Sequence, residues 1–354
     1  MIRIIRVLVL RYSYKDNFPF RLSVMKKISV MCPYRISFSG GGTDVSPFPE
    51  MYGGCVINAT IDKGIRLNYV NDGQPLEISS RDILKSWSFS KRIHNSFLEG
   101  ITTLFKERGI EEGRLSISGD VPPGTGLGTS SALVLGLLQI VKILNGEEVS
   151  KADLANETYE VEKNFFGVTL GKQDPYAISF GGLKYMEFSK DGFKMETFDH
   201  DTPFTLLLEM STLMVYTGSS HNSSDELQEE VSRLREGSTD LVNRLLEIKR
   251  NTEEARESIL KNDFDRFVGL VDIGWELKKG LTKNITNPKV DALIRFAKEN
   301  GARTARLMGG GSEGFILLLA DHKDLWRLQK RMMEHSDFVT RISFDHYGAR
   351  SVPF

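Results

Sequence analysis

Residues 27–120 carry short apolar runs, rich in β-branched residues, separated by polar or glycine-containing breaks. Such runs predict strands, here KISVMC, GCVINATI, GIRLNYV, LEIS and RLSISG. Residues 96–108, between the last two runs, have the amphipathic spacing of a helix. The first part of the chain is therefore predicted to form a sheet with one inserted helix.

The middle of the chain predicts two consecutive helices after a glycine-rich turn. Residues 130–144 are apolar almost all round, which predicts a buried helix that ends at Gly146. Residues 151–165 predict a second helix. Residues 185–188 and 204–215 have the composition of strands.

Residues 224–300 have a helical pattern, with apolar residues recurring as at Leu241, Leu245 and Ile248. A β-turn-β-α-β pattern then follows, with strands at 302–308, 314–320 and 338–344 and a helix at 322–335. A chain of 354 residues favours two domains, and we place their boundary within residues 190–220. The predicted class is α+β, with a mixed or antiparallel sheet.

Composition excludes several function classes. Forty-six basic and 47 acidic residues give a net charge of −1, which argues against a protein held by nonspecific nucleic-acid phosphate contacts. No apolar run approaches the 18 or so residues of a membrane span. Cys32 and Cys55 are too few for a disulfide framework or a cysteine zinc site, so we expect them in the core.

The N-terminal segment does not have the pattern of a secretory signal. Arg3, Arg6 and Arg11 interrupt a short apolar stretch, and no small-residue cleavage site follows. We expect a cytoplasmic protein whose translation starts at Met25, which makes residues 1–25 an extension. An additional strand or a terminal arm is the alternative.

The sequence PPGTGLGTSSAL carries glycines at 124, 126 and 128 immediately before a predicted helix. Glycine lets backbone approach a ligand closely, and a helix N-terminus offers unpaired N–H groups. The combination predicts a phosphate cradle, and the hydroxyls of Ser130 and Ser131 suit a cation. The alternative is a tight turn whose glycines serve packing.

Two further segments place acidic residues beside glycines. In PYRISFSGGGTD, Asp44 follows three glycines and suits hydrogen bonds to sugar hydroxyls, or it merely caps the turn. In GKQDPY, residues 171–176, the polar run is either functional or a solvated loop.

Two familiar nucleotide motifs are excluded. Residues 167–173 resemble a Walker loop, but the spacing is short and Gln173 replaces Ser or Thr. Gly309, Gly311 and Gly314 fit G-x-G-x-x-G, yet a strand follows instead of the required helix.

PYRISFSGGGTD, PPGTGLGTSSAL and ARLMGGGSEGF, in this order, resemble the three motifs of the GHMP small-molecule kinases. The resemblance extends from residue 27 to about 350. SGGGTDVSPFPEMYGGCVINATID and GKQDPYAISFGGLKYMEF are most similar to kinases of D-glycero-D-manno-heptose 7-phosphate. Those enzymes phosphorylate the anomeric O1 on the route to nucleotide-activated heptose for lipopolysaccharide and other bacterial surface polysaccharides.

The resemblance implies a two-domain fold with ATP and the acceptor in the cleft between the domains. Residues 26–200 would form the ATP-binding domain, with a ribosomal-protein-S5-like fold. Residues 201–354 would form a ferredoxin-like domain with a helical insert.

The resemblance also implies roles for individual residues. Asp174 matches the acid that faces the acceptor hydroxyl, as base or orienter, and Arg35 matches its basic partner. Ser131 and Glu162 match the ligands of Mg²⁺. The residues matched to ATP are Pro123, Gly124, Thr125, Gly126, Leu127, Gly128, Thr129, Ser130 and Ser131. Acceptor binding is expected of Gly41, Gly42, Thr43, Asp44, Lys172, Gly310, Gly311 and Arg306.

Several positions depart from the family pattern. Galactokinase-like members carry Glu-His where this chain has Gly41-Gly42, which argues for a different sugar. Glu313 interrupts the third glycine series, and Pro175 favours an extended backbone at Asp174.

The expected partners are ATP and a sugar phosphate, with no nucleic acid and no membrane, and a homodimer is compatible with the sequence. Lys172, Arg303 and Arg306 are candidate ligands of the acceptor's phosphate, or else ordinary surface charges. The polar loop around His221 is either a lid or a helix-capping linker. Two alternatives stay open: a kinase of free fucose or galactose, and a binding protein without turnover. The sugar-kinase-like first motif argues against a decarboxylating relative.

Overall fold

The computed structural model describes residues 27–80, 85–87, 96–219 and 224–353. Residues 1–26, including the expected start at Met25, and the loop at 220–223 with His221 lie outside the described residues. The strands are β1 (Lys27–Ser39), β2 (Gly54–Pro75), β3 (Glu77–Ser80), β4 (Lys85–Trp87), β5 (Glu112–Gly119), β6 (Leu183–Ser189), β7 (Gly192–Phe198), β8 (Thr212–Tyr216), β9 (Ala302–Leu307), β10 (Phe315–Ala320), β11 (Val339–Arg341) and β12 (Arg350–Pro353). The helices are α1 (Phe48–Tyr52), α2 (Ser96–Glu107), α3 (Thr129–Asn145), α4 (Lys151–Glu160), α5 (Gln173–Phe180), α6 (Pro203–Met210), α7 (Ser224–Arg235), α8 (Thr239–Leu260), α9 (Phe264–Lys279), α10 (Pro288–Glu299) and α11 (Leu325–Met332).

The first sheet has the strand order β12-β1-β2-β5-β3-β4, with β6 and β7 joined to the other end of β2. The two predicted strands GCVINATI and GIRLNYV form the single long strand β2. Its first half pairs with β6 and its second half with β5, while β1 runs antiparallel along both halves. This shared strand connects β1, which leads into the first glycine motif, with β5, which precedes the second.

Helix α3 is the buried helix that the sequence predicts. Its residues from Ser131 to Leu138 are all buried, and it packs against β1 and β2. Gly136 lies so close to β2 that a Cβ there would be 2.8 Å from Leu67 Cδ1. Because the helix is enclosed, the loop that precedes its N-terminus is held rigidly.

The second sheet is antiparallel, in the order β11-β8-β10-β9. Trp275 of α9 is part of the apolar core between this sheet and the helices, together with side chains of α10 and α11. The helical region after residue 224 and the β-turn-β-α-β unit are thus confirmed, and the class is α+β.

The expected strand at 204–215 is wrong in its first half, which forms helix α6. The side chain of Thr202 accepts a hydrogen bond from the Thr205 N–H, and Pro203 occupies the first helical position. This cap-and-proline pair starts a helix even though the following residues are apolar. The strand β8 begins only at Thr212.

The chain end also differs from the prediction. The last predicted strand shortens to β11, and the unpredicted strand β12 returns to the first sheet and pairs with β1. The domain limits 26–200 and 201–354 stay a prediction.

Two predictions made from the composition, on the cysteines and on membrane spans, can be compared with the structure. Cys32 and Cys55 are both buried and unpaired, as expected of core residues. Among the described helices, none combines the length and hydropathy that crossing a membrane requires.

Candidate active site

A cleft of about 610 Å³ brings residues of the three glycine motifs together. The predicted site residues that line it are Arg35, Gly41, Gly42, Asp44, Pro123, Gly124, Gly126, Gly128, Thr129, Ser130, Ser131, Glu162, Asp174, Arg306 and Gly310. Five predicted residues are not among its lining: Thr43, Thr125, Leu127, Lys172 and Gly311. The motifs are far apart in sequence, so their convergence marks this cleft as the candidate active site.

The glycine turn at residues 124–128, predicted to cradle phosphate and here called the phosphate loop, lies back to back with the glycine turn at residues 309–311. A Cβ on residue 126 would be 2.5 Å from the Met308 carbonyl oxygen, and one on residue 309 would be 2.5 Å from the Cα of Gly126. The Phe315 N–H also donates to the Thr125 carbonyl at 3.1 Å. Two of these glycines therefore serve packing between turns, the alternative that the sequence left open, as well as access to the cleft.

Replacing Gly126 with alanine should test this packing. The residue has φ +80°, and its neighbour is backbone that cannot rotate away, so we expect the free energy of unfolding to fall by roughly 2–5 kcal/mol. Gly146→Ala is the matched control, because Gly146 also has positive φ but no atom lies within 4 Å of a Cβ there. Urea denaturation of both variants should show the larger loss for Gly126→Ala, and equal losses would contradict the packing argument.

The N-terminus of α3 presents two serines to a buried carboxylate. Glu162 accepts hydrogen bonds from the Ser130 hydroxyl at 2.7 Å and the Ser131 hydroxyl at 2.5 Å. Glu162 lies in the π-helical turn Val161–Phe165 that continues α4, where the sequence predicted one regular helix. The wider turn places this carboxylate opposite the start of α3.

The Glu162 carboxylate fits a divalent cation. Burial raises its pKa to about 7, and no basic side chain of the described residues forms an ion pair with it. In the described part of the chain, no group of three or more His, Cys, Asp and Glu side chains is arranged so that it could hold a metal ion by itself. Two hydroxyls and one carboxylate form an oxygen donor set that suits Mg²⁺, which usually keeps water or phosphate oxygens as further ligands.

Arg35 and Asp174 form a bidentate ion pair at the floor of the cleft. The Arg35 Nε donates to Asp174 Oδ1 at 2.6 Å, and its second terminal nitrogen donates to Oδ2 at 2.8 Å. The remaining terminal nitrogen donates to the Gly126 carbonyl at 2.6 Å. One guanidinium thus fixes the carboxylate and the phosphate loop relative to each other.

The segment around Asp174 is helical, which corrects two expectations. Asp174 lies in the first turn of α5, so the extended backbone expected from Pro175 is wrong, and so is the alternative of a solvated loop. A proline in the first helical turn lacks only an N–H that has no partner within the helix. The helix N-terminus also favours a negative charge at this position.

Asp44 ties the first motif to the segment before α5. It is buried, and it accepts hydrogen bonds from the backbone N–H of Gln173 at 2.9 Å and of Gly42 at 3.2 Å. A Cβ on residue 171 would lie 2.0 Å from Asp44 Oδ2, so only glycine fits there. Burial raises the pKa of Asp44, and the Gln173 hydrogen bond opposes that rise.

The other expected acceptor ligands divide into two groups. Arg306 lines the cleft, 2% exposed, and donates to the Phe38 carbonyl. By contrast, Lys172 pairs with Glu50 at 2.7 Å, and Arg303 pairs with Asp265 on the surface. The Thr43 hydroxyl is engaged with the backbone of Gly40 and Cys55.

Two residues of the third motif also lie off the cleft. Gly311 packs against Ile285, where a Cβ would be 2.9 Å from the Ile285 Cα. Glu313 is not among the lining residues, so its carboxylate does not face the cleft directly.

Sequence reasoning missed three charged residues of the cleft: Glu226 and Glu230 of α7, and Lys278 of α9. Lys278 donates to the Gly309 carbonyl, and burial, with Arg306 and Arg35 nearby, lowers its pKa to about 7. The available signal was periodicity, because Lys278 continues the buried face of Val271 and Trp275. A charge at an apolar-face position is the pattern to search for.

Comparison with known families accounts for this arrangement. Residues 95–182 match the family described as "GHMP kinases N terminal domain", and residues 255–335 match "GHMP kinases C terminal". The chain belongs to the GHMP kinases.

Relatives of this GHMP kinase include sugar kinases. It is 26% identical over 343 residues to the D-glycero-alpha-D-manno-heptose 7-phosphate kinase of Campylobacter jejuni, covering 92% of this chain and 99% of that protein. It is also 26% identical over 361 residues to the bifunctional fucokinase/GDP-fucose pyrophosphorylase of Arabidopsis thaliana, covering 93% of this chain and 34% of that protein.

The fold of this GHMP kinase also recurs in a solved structure. That structure is titled a D-glycero-D-manno-heptose 1-phosphate kinase from Bacteroides thetaiotaomicron, with a TM-score of 0.72 and 24% identity, covering 92% of this chain and 98% of that one. Family membership establishes an ATP-dependent phosphotransferase with the expected two-domain fold.

Proposed function

We propose that this GHMP kinase transfers the γ-phosphoryl group of ATP to the anomeric O1 of D-glycero-D-manno-heptose 7-phosphate. The product would be the 1,7-bisphosphate, a precursor of nucleotide-activated heptose for lipopolysaccharide and other surface polysaccharides. The main supporting observation is that three buried basic side chains, Arg35, Lys278 and Arg306, converge on the part of the cleft beside Asp44 and Asp174. The phosphate of a phosphorylated acceptor would be a suitable charged partner for these side chains.

The glycine loop and the start of α3 are proposed to hold the triphosphate through backbone N–H groups. Ser131 and Glu162 would hold Mg²⁺, whose charge when bound would offset that of the phosphate oxygens. Phosphoryl transfer depends mainly on alignment and on cations around the migrating group. Arg35 fits that second need, because it lies between the phosphate loop and Asp174.

Asp174 is proposed to face the acceptor hydroxyl. Arg35 binds both carboxylate oxygens from one side, and the Asp174 side chain stays 24% exposed toward the cleft. That open side is where an acceptor hydroxyl would donate its hydrogen bond and, during transfer, its proton.

A kinase of a free sugar such as fucose is the second candidate. It is favoured by the equal identity to the Arabidopsis fucokinase and to the heptose kinase. If the acceptor is a free sugar, the catalytic residues keep their roles, but Arg35, Lys278 and Arg306 have no acceptor phosphate to bind.

Activity measured with a set of different acceptors distinguishes the two candidate functions. ATP consumption with Mg²⁺ should be measured with heptose 7-phosphate, mannose 6-phosphate, galactose, fucose and mevalonate. We expect kcat/KM to be highest for heptose 7-phosphate, with a 1,7-bisphosphate product that ³¹P NMR identifies. Turnover confined to free sugars would overturn the phosphorylated acceptor, and no turnover of heptose 7-phosphate despite ATP binding would reject this acceptor.

A further inference from the structure

Glu230 places a carboxyl group into the acceptor side of the cleft from an unexpected element. It belongs to α7, far in sequence from the glycine motifs, and it is 3% exposed while lining the cleft. Its Oε1 atom is buried and has no hydrogen-bond partner among the described residues. A buried carboxyl oxygen without a partner is costly unless a ligand supplies one.

The Glu230 carboxyl group packs closely against Gly42. A Cβ on residue 42 would lie 3.3 Å from Glu230 Oε1 and 3.1 Å from Leu281 Cδ1. Gly42 has φ +103°, a conformation that side chains rarely adopt. A larger residue at position 42 would therefore compete with the Glu230 carboxyl group for the same volume.

Other lining groups near the first motif show the same lack of partners. Ser37 Oγ, Gln173 Oε1 and Arg306 Nε are buried atoms of cleft-lining residues without a hydrogen bond in the described part of the chain. With Glu230, they offer both donors and acceptors inside one cleft. A ligand with several hydroxyl groups satisfies such a set, whereas an apolar ligand would leave it unpaired.

The charged surroundings of Glu230 determine its protonation. Asp44 faces it from the first motif, Lys278 from α9 and Arg233 from its own helix, and Glu226 lies one turn earlier. Burial, followed by the effect of Asp44, raises the pKa of Glu230 to about 8. Near neutral pH the group is mostly a carboxylic acid, which both donates and accepts hydrogen bonds.

We propose that Glu230 is a specificity-determining residue, whose carboxyl group binds hydroxyl groups of a sugar acceptor in the part of the cleft that Glu230 and Gly42 line together. The proposal rests on the proposed sugar-kinase function and deepens it. It assigns acceptor recognition to α7 in addition to the glycine motifs, and to a residue that acts in binding and not in phosphoryl transfer.

Glu230→Ala tests the contact directly. Kinetics with heptose 7-phosphate, fucose and galactose should show kcat/KM for the accepted sugar lowered by roughly 10- to 100-fold, mainly through KM, with KM for ATP changed less than twofold. Glu229→Ala, one residue away and outside the cleft lining, should leave both constants unchanged. An unaltered acceptor KM in Glu230→Ala would overturn the proposal.

The pH profile provides a second test, which also applies if Glu230→Ala does not fold. Below pH 8 the wild-type acid holds its proton, so KM for the acceptor should rise as pH increases through about 8. Glu230→Gln stays neutral and should lose this inflection. An inflection that persists in Glu230→Gln would assign it to another group, such as Lys278, and overturn the proposal.

The outcomes separate this proposal from the proposed function. If the wild-type enzyme and Glu230→Ala turn over heptose 7-phosphate equally well, the Glu230 assignment is rejected and the proposed function is kept. Turnover of only a free sugar, weakened in Glu230→Ala, would keep the assignment and reject the phosphorylated acceptor. Absence of turnover with all three sugars would reject both.

Discussion

Asp174→Asn should lower kcat by roughly 10²- to 10⁴-fold, the range typical of losing a positioned proton acceptor. Asparagine keeps the shape and one oxygen for Arg35, but it cannot accept the proton of the acceptor hydroxyl. KM for ATP should change little, because Arg35 still reaches the Gly126 carbonyl. Steady-state kinetics with the preferred acceptor measures both constants.

Stability must be measured beside activity, since Asp174 is the ion-pair partner of a buried guanidinium. Breaking a buried pair costs about 3–5 kcal/mol when one partner is left uncompensated, and asparagine should reduce that loss. Asp120→Asn is the matched control, because Asp120 accepts a backbone hydrogen bond from Gly64 outside the cleft lining. A folded Asp174→Asn protein with wild-type kcat would refute the catalytic role.

The glycine motifs could be predicted from the sequence because the backbone conformation of each turn requires glycine at particular positions. Gly124, Gly126 and Gly128 all have positive φ, and the helix that follows begins at Thr129. The sequence could not reveal that Gly126 and Gly309 touch. That contact depends on the packing of two domains, which a local sequence pattern does not predict.

The two wrong predictions, a strand in the first half of 204–215 and an extended backbone at Asp174, have a similar physical origin. The apolar residues after Pro203 fit a strand or a helix equally well, and the Thr202 cap decides for the helix. Asp174 was expected to be extended because Pro175 follows it, yet a helix tolerates proline in its first turn.

Charged residues on amphipathic helices were the hardest to foresee. Glu230 and Lys278 carry no motif, and most acids and lysines at such spacing face solvent. Only the tertiary arrangement shows that both line the cleft. The motifs predicted most of the residues that line the cleft, whereas Glu226, Glu230 and Lys278 lie outside them.

Glu162→Gln should raise the Mg²⁺ concentration needed for half-maximal activity by at least about 10- to 100-fold, the loss typical even of indirect metal-site partners. The amide oxygen can still accept a hydrogen bond from one of the two serine hydroxyls, and the amide NH2 can donate to the other, so the local structure should persist. What it lacks is the negative charge that attracts a divalent cation. Activity titrated with Mg²⁺ at saturating ATP measures the change.

The same substitution separates a metal ligand from a structural carboxylate. Glu162 is 1% exposed, and burying its charge without a cation is unfavourable, so Glu162→Gln should not destabilise the metal-free protein. Glu157→Gln, which removes a charge on α4 that pairs with Arg108 and Lys142, should leave the Mg²⁺ requirement unchanged. If Glu162→Gln instead unfolds the protein and keeps its Mg²⁺ requirement, the carboxylate holds the turn together and the cation binds elsewhere. A stable variant that needs far more Mg²⁺ would mean that the buried carboxylate lowers the stability of the metal-free protein. Its role would then be to bind the cation at the start of α3.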